Sequence, residues 1–209
     1  MKTMKTISLG SSVILSAVIL VFQSCAPKGR TEAEIIAEKD SIFATTGGFA
    51  SKVEWGEHLV NTLGCHDCHS PKKMTDHGPE PDPDMLLSGH HADFRPFEFD
   101  RSIVEKNGYT MTNEHFTAWA GVWGTSYTAN ITSDPTGIGN WTEENFFTAI
   151  RKGKFKGIES GRDLLPPMPW PVFAQLKDGE LSAIFAYLKS TKPINNVVPA
   201  PLPPSNAAM

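Results

Sequence analysis

Five consecutive residues, Cys65-His66-Asp67-Cys68-His69, constrain this chain more than any other feature of it. They form a CxxCH motif, the attachment signature of c-type haem. The two vinyl groups of the porphyrin lie along one edge. Two residues between the cysteines give both sulfurs the span to reach them, and the histidine that follows is delivered to the iron from one face. Two other chemistries use paired cysteines. A structural zinc site needs four ligands, ordinarily two Cys or Cys/His pairs, and the chain has three cysteines with no second CxxC. A thioredoxin-like dithiol opens a helix after a strand, whereas this pair follows a helical pattern.

A haem attached in this way is loaded after export, and the beginning of the chain reads as an export signal. Lys2 and Lys5 precede an apolar run from Ile7 to Phe22, short for a spanning helix of ~20 residues. Residues 1–24 are therefore expected to be a signal peptide. Cys25 follows Ser24 in an arrangement that resembles a bacterial lipobox, so Cys25 is the expected lipidation site. An uncleaved anchor and a soluble secreted form are the other two readings, and all three export the domain. The 209 residues carry 19 Lys+Arg against 23 Asp+Glu, and the part from Cys25 onward has a net charge of −6. With no basic excess to neutralise phosphates, a nucleic acid is not an expected partner. A mean hydropathy of −0.23 excludes a polytopic membrane protein.

The rest divides by local signals. Residues 25–50 read as a tether and a short helix, with a capping box at Thr31 and Glu34. Residues 51–192 read as one domain. Its first helix starts after Ser51 and presents Trp55, Leu59 and Leu63 on one face, with Gly64 as its stop. An insertion over about 70–128 follows. Pro71, Pro79, Pro81, Pro83 and Pro96 forbid long regular structure there, acidic residues make it negative, and a strand pair is expected between Ser102 and Thr128. Thr142 caps another helix that ends in Arg151 and Lys152 before Gly153. Leu181, Ile184, Phe185 and Leu188 form an amphipathic stripe on a last helix beginning near Asp178. Residues 193–209 are a Pro-rich tail. The insertion is expected to be loop-rich and to carry a short β-hairpin.

The second axial ligand of such a haem is sought by residue type. The candidates are Met74, Met85, Met111 and Met168, with His77, His90, His91 and His115 in the insertion. Met168 is favoured: it lies in Leu164-Leu165-Pro166-Pro167-Met168-Pro169-Trp170, where flanking prolines stiffen a loop able to hold a weak thioether ligand. Adjacent His90 and His91 read as a solvated loop pair rather than a metal site. Arg151, Lys152, Lys154 and Lys156 read first as a solvated helix terminus, with a docking patch for an acidic partner as the alternative.

Taken together, the helix from Trp55 into CxxCH, the Met-Pro loop and the closing helix from Leu176 to Leu188 resemble a class I-type cytochrome c domain. The segments Asn130–Asp134 and Thr136–Thr142 are similar to the cytochrome c domains of membrane-bound alcohol and gluconate dehydrogenase cytochrome subunits. The resemblance covers about 55–69 and 126–190. It implies an all-α fold class with helices around one haem, crossing first and last helices beside it, Cys65 and Cys68 as thioether sites, His69 as proximal ligand and Met168 as distal ligand. Those subunits usually carry three CxxCH motifs; this chain carries one, hence one covalent haem c. The implied function is electron transfer on the periplasmic side of a bacterial membrane by a lipid-anchored carrier, not an enzyme, with no catalytic residues of its own. Its redox partners would be a dehydrogenase, an oxidase or another cytochrome. A fixed subunit of such a complex is the alternative, followed by a haem-based sensor or peroxidase. Trp55, Phe146, Phe147, Phe185 and Tyr187 are expected to shield the haem.

Overall fold

A computed structural model describes residues 30–94 and 97–205. The expected signal peptide, 1–24, and Cys25 lie outside the described residues. Helix α1 (Glu32–Thr46) opens with the expected box: the Thr31 hydroxyl accepts from Glu34 N–H, and the Glu34 carboxylate accepts from Thr31 N–H at 2.7 Å. No residue of α1 is buried, and Ile35, Ile36, Ile42 and Phe43 are exposed on it. Helix α2 (Lys52–Thr62) begins where the Ser51 hydroxyl accepts from Glu54 N–H at 3.1 Å. Gly64, in the left-handed region, turns the chain into the single-turn helix α3 (Cys65–His69).

The insertion holds more regular structure than its prolines suggest. Strands β1 (Lys72–Thr75) and β2 (Gly78–Pro81) pair antiparallel, with Met74 opposite Pro79 and Lys72 opposite Pro81. Two prolines are tolerated because β2 is an edge strand, and both sit at positions whose missing N–H is not needed by the ladder. Helix α4 (Ser102–Asn107) leads into β3 (Met111–Thr112), β4 (Ala118–Gly121) and β5 (Gly124–Tyr127), which form an antiparallel sheet in sequence order. Helix α5 (Glu143–Lys152) follows, capped reciprocally by Thr142 and Asn145. After a 3₁₀ turn at Phe155–Gly157 come the short α6 (Trp170–Phe173) and α7 (Asp178–Ser190).

The all-α expectation is therefore corrected: among the described residues, five strands in two antiparallel sheets make this a mixed α and β fold. The strands are two to four residues long, too short for a period-two pattern to stand out in the sequence. Three strands occupy the region where a pair was expected.

The core lies between the helices. Val60 of α2, Phe146 and Ile150 of α5, and Leu181, Ile184 and Leu188 of α7 bury together with Leu87 and Ile138 from the loops. Helices α2 and α7 meet at Gly56: a Cβ there would sit 1.9 Å from the Ala183 carbonyl oxygen. Only glycine permits that approach. The buried line of α2 is thus Gly56 and Val60, while Trp55, Leu59 and Leu63 are half-buried beside it. Past α7 the chain runs back over the insertion. Thr125 and Leu202 exchange backbone hydrogen bonds of 2.8 and 2.9 Å, and Arg101 donates to Pro203 O at 2.7 Å.

Candidate cofactor site

One turn of helix carries Cys65, Cys68 and His69. Both cysteines are free thiols and half-buried. Burial pushes the Cys65 thiol up to about 11, and Cys68 upward as well. The carbonyl end of α3 is closed by Lys72, which is 7% exposed. Its Nζ donates to the carbonyls of His66 at 2.7 Å, Asp67 at 3.0 Å and Ser70 at 2.5 Å. A cation at a helix C-terminus both fills the orphan acceptors and opposes the dipole. Nothing in the sequence marked this lysine.

His69 is held at both its ring and its backbone. Nδ1 lies 2.8 Å from the Ala129 carbonyl oxygen, and the His69 carbonyl accepts from Gly89 N–H at 2.8 Å. A carbonyl only accepts, so Nδ1 carries the proton and Nε2 presents its lone pair. Burial, the largest influence, holds the His69 pKa below its ordinary value and keeps the ring neutral near pH 7. Among the described residues Nε2 has no hydrogen-bond partner.

The loop of Met168 is fixed from several sides. Ser126 on β5 donates to Pro166 O at 2.5 Å, and Leu164 N–H donates to Gly153 O at 2.6 Å. The Trp170 indole covers Gly153 so closely that a Cβ there would lie 2.4 Å from Cε2. Met168 is half-buried and packs against the same core cluster as Cys65. Two thiols on one helical turn, a neutral imidazole with an unengaged Nε2 and a half-buried thioether form a donor set that fits a covalently attached haem.

The other candidate ligands have surroundings of their own. Met74 is 74% exposed, Met111 is exposed on β3, and His77 is exposed between β1 and β2. Met85 sits in a turn, its N–H donating to Asp82 O at 3.0 Å. His90, His91 and His115 gather around the Phe94 ring. His90 Nδ1 pairs with Thr117 Oγ1, His91 Nε2 with Ser88 Oγ, and His115 Nδ1 with Lys72 O. His90 is buried, not solvated as expected of a loop pair. Among the described residues no three His, Cys, Asp or Glu side chains are grouped to hold a metal ion. Of the basic cluster, Arg151 pairs with Asp178, Lys152 with Glu159 and Lys154 with Asp163 at 2.6–2.8 Å. Those charges are satisfied within the chain. Phe146 and Phe185 meet in a tilted pair with ring centroids 5.4 Å apart, and Phe147 and Tyr187 line the same core, while Trp55 lies over Gly47 and Gly179.

The loop around Asn130 shows its purpose only in three dimensions. Asn130 Oδ1 accepts from Thr132 N–H and hydroxyl, and Nδ2 donates to Ile194 O at 2.8 Å. It ties the segment carrying Ala129 to the chain beyond α7.

This chain is similar to cytochrome c subunits of dehydrogenases. It is 45% identical over 73 residues to the cytochrome c subunit of a quinone alcohol dehydrogenase of Gluconobacter oxydans, covering 34% of this chain and 15% of that protein. It is 41% identical over 126 residues to the corresponding subunit of Gluconacetobacter polyoxogenes, covering 52% and 26%. With the gluconate 2-dehydrogenase cytochrome c subunit of Pantoea cypripedii it shares 42% over 65 residues, 31% of this chain and 14% of that one. The chain spans about a quarter or less of the length of these relatives. No protein-family model matches it. Among the described residues no helix is long and apolar enough to cross a membrane.

Proposed function

We propose that this chain holds one haem c and transfers electrons on the periplasmic side of a membrane. Cys65 and Cys68 form the thioethers, His69 and Met168 bind the iron, and Cys25 carries the lipid that tethers the domain. The observation that carries this reading is the 2.8 Å contact from His69 Nδ1 to Ala129 O within a CxxCH turn. It selects the tautomer whose Nε2 is a ligand, and it makes that nitrogen more basic. The haem, when bound, supplies a one-electron Fe(III)/Fe(II) couple. The chain's part is to orient the imidazole, to hold the Met168 thioether in a braced loop and to exclude water. A thioether ligand raises the potential, and the apolar wall of Phe146, Phe147 and Phe185 opposes added charge in the same direction.

A fixed place in a dehydrogenase complex is the second reading. Two observations favour it: the relatives are dehydrogenase subunits, and α1 exposes Ile35, Ile36, Ile42 and Phe43 with no residue of its own buried. Exposed apolar groups clustered in this way mark a contact surface.

The test is the optical spectrum of the exported protein, oxidised and reduced, beside Met168→Ala. A c-type reduced spectrum with a sulfur–iron charge-transfer band that the variant loses is the expected outcome. A haem spectrum untouched by Met168→Ala would remove Met168 from the iron and leave the sensor or peroxidase chemistry standing. Absence of haem would overturn the reading altogether. Co-purification of a dehydrogenase at fixed stoichiometry would decide for the second form.

A further inference from the structure

The Ala129 carbonyl that receives His69 Nδ1–H is itself held by a short antiparallel run of contacts. Segment 87–90 lies beside segment 128–131: Ile131 N–H donates to Leu87 O at 2.9 Å and His90 N–H donates to Thr128 O at 3.0 Å. Gly89 is the point of contact. Its φ is +74°, and a Cβ on it would lie 2.5 Å from the Ala129 carbonyl carbon and 2.6 Å from its oxygen. The same residue donates its N–H to His69 O. Gly89 therefore touches both partners of the histidine hydrogen bond.

What presses Gly89 into place comes from the far end of the chain. Asn196, six residues past α7, is 6% exposed. Its Nδ2 donates to Ser88 O at 2.8 Å and to His90 O at 3.0 Å, straddling Gly89. Its own backbone is fixed, with N–H donating to Thr136 Oγ1 at 2.9 Å and the carbonyl accepting from Asn130 Nδ2 at 3.4 Å. One side-chain amide thus uses both its hydrogens on the two carbonyls flanking the residue that contacts Ala129. A buried amide placed in this way is satisfied only in one geometry.

We propose that Asn196 is a positioning residue for the iron ligand: by bridging Ser88 O and His90 O it sets the hydrogen bond between His69 Nδ1 and Ala129 O, and so the electron donation of His69. This rests on the haem reading above. A shorter bond from Nδ1–H makes the imidazole a stronger donor and favours Fe(III). Loss of the Asn196 bridge lets Gly89 and Ala129 relax, weakens that bond and raises the midpoint potential.

The test uses the full-length, haem-loaded protein and compares Asn196→Leu and Asn196→Ser with Thr191→Val. Leucine is close in size and donates nothing; serine can serve one carbonyl. Thr191 also anchors the chain beyond α7, accepting from Ser133 N–H at 3.2 Å, but touches neither Ser88 nor His90. Two quantities are read: the midpoint potential, and the rate at which the His69 Nδ1 proton exchanges with D2O in the reduced protein. The expected result is an upward potential shift and at least tenfold faster exchange in Asn196→Leu, an intermediate change in Asn196→Ser, and neither in Thr191→Val. If the leucine variant does not fold, the serine variant decides. Unchanged potential and exchange in a haem-loaded Asn196 variant would overturn the proposal, as would an equal change in Thr191→Val. Failure of every protein, the parent included, to take up haem would instead sink the haem reading.

Discussion

Replacing Gly56 by alanine adds one methyl group at the close crossing of α2 and α7. That methyl would meet the Ala183 carbonyl oxygen at 1.9 Å, the Ala183 carbonyl carbon at 2.6 Å and Tyr187 Cβ at 2.8 Å. Carbon–oxygen contacts settle near 3.3 Å, so α2 and α7 must part by roughly 1.4 Å along that line. The obstacle is backbone, which cannot rotate aside. Separation on this scale removes a quarter or more of the dispersion attraction of the atoms facing the gap, among them Val60, Leu181 and Ile184. Overpacking of this kind costs about 3 kcal/mol. Alanine's better helix propensity returns about 1 kcal/mol. The net loss is about 2 kcal/mol, a fall in Tm of roughly 4–8 °C for a domain of this size. Thermal unfolding followed by far-UV circular dichroism measures it on parent and variant side by side. A Gly56→Ala protein as stable as the parent would refute the close crossing, because propensity alone predicts a gain.

Three further outcomes are expected. Burial, reinforced by His115 and His91, holds His90 at a pKa of about 4 against ~6.5 in the unfolded chain; the folded state binds fewer protons, so its stability is full above pH 6.5 and is lost as pH falls through 4, by on the order of 3 kcal/mol. Urea unfolding at pH 7 and pH 4 reads this, and His90→Gln flattens the profile; an unaltered pH slope in the variant would assign the effect to other groups. Lys72→Met keeps the aliphatic stem but strips three carbonyls of their donor, and should lower stability by about 2 kcal/mol, measured as a shift of the urea midpoint. Cys25→Ser should move the exported protein from the membrane fraction to the soluble fraction, and persistence in the membrane fraction would point to a different anchor.

How much of this was readable in advance depends on the physics of each element. Thr31, Ser51 and Thr142 announced their helices because a cap is a contact between residues three apart. The stripe of Leu181, Ile184 and Leu188 announced α7 in the same local way. CxxCH was legible because covalent chemistry dictates the spacing. Gly56 was not, since a close crossing is a property of two helices, and α7 lies more than 120 positions further on. Neither was the sheet: Met111 and Thr112 are strand residues only because Ala120 and Trp119 lie opposite them. The partners of the site residues escaped for a related reason. Ala129 serves His69 through its carbonyl, which every residue type possesses, so its identity carries no signal. Lys72 looked like any charged residue on a loop. The Asn130 stretch was singled out by resemblance alone, and its bonds to Thr132 and Ile194 supply the reason.

The crossing at Gly56 also bears on timing. The partner surface of α2 is α7, so the helix that leads into CxxCH cannot dock until residues near 190 have emerged. If the chain crosses a membrane unfolded, as the proposed function requires, the Cys65 and Cys68 thiols stay reachable throughout that interval. Contacts of such high sequence separation form slowly. A delay of this origin gives an attachment apparatus a window in which both sulfurs are still on an open strand of polypeptide, and closes that window only when the last helix arrives.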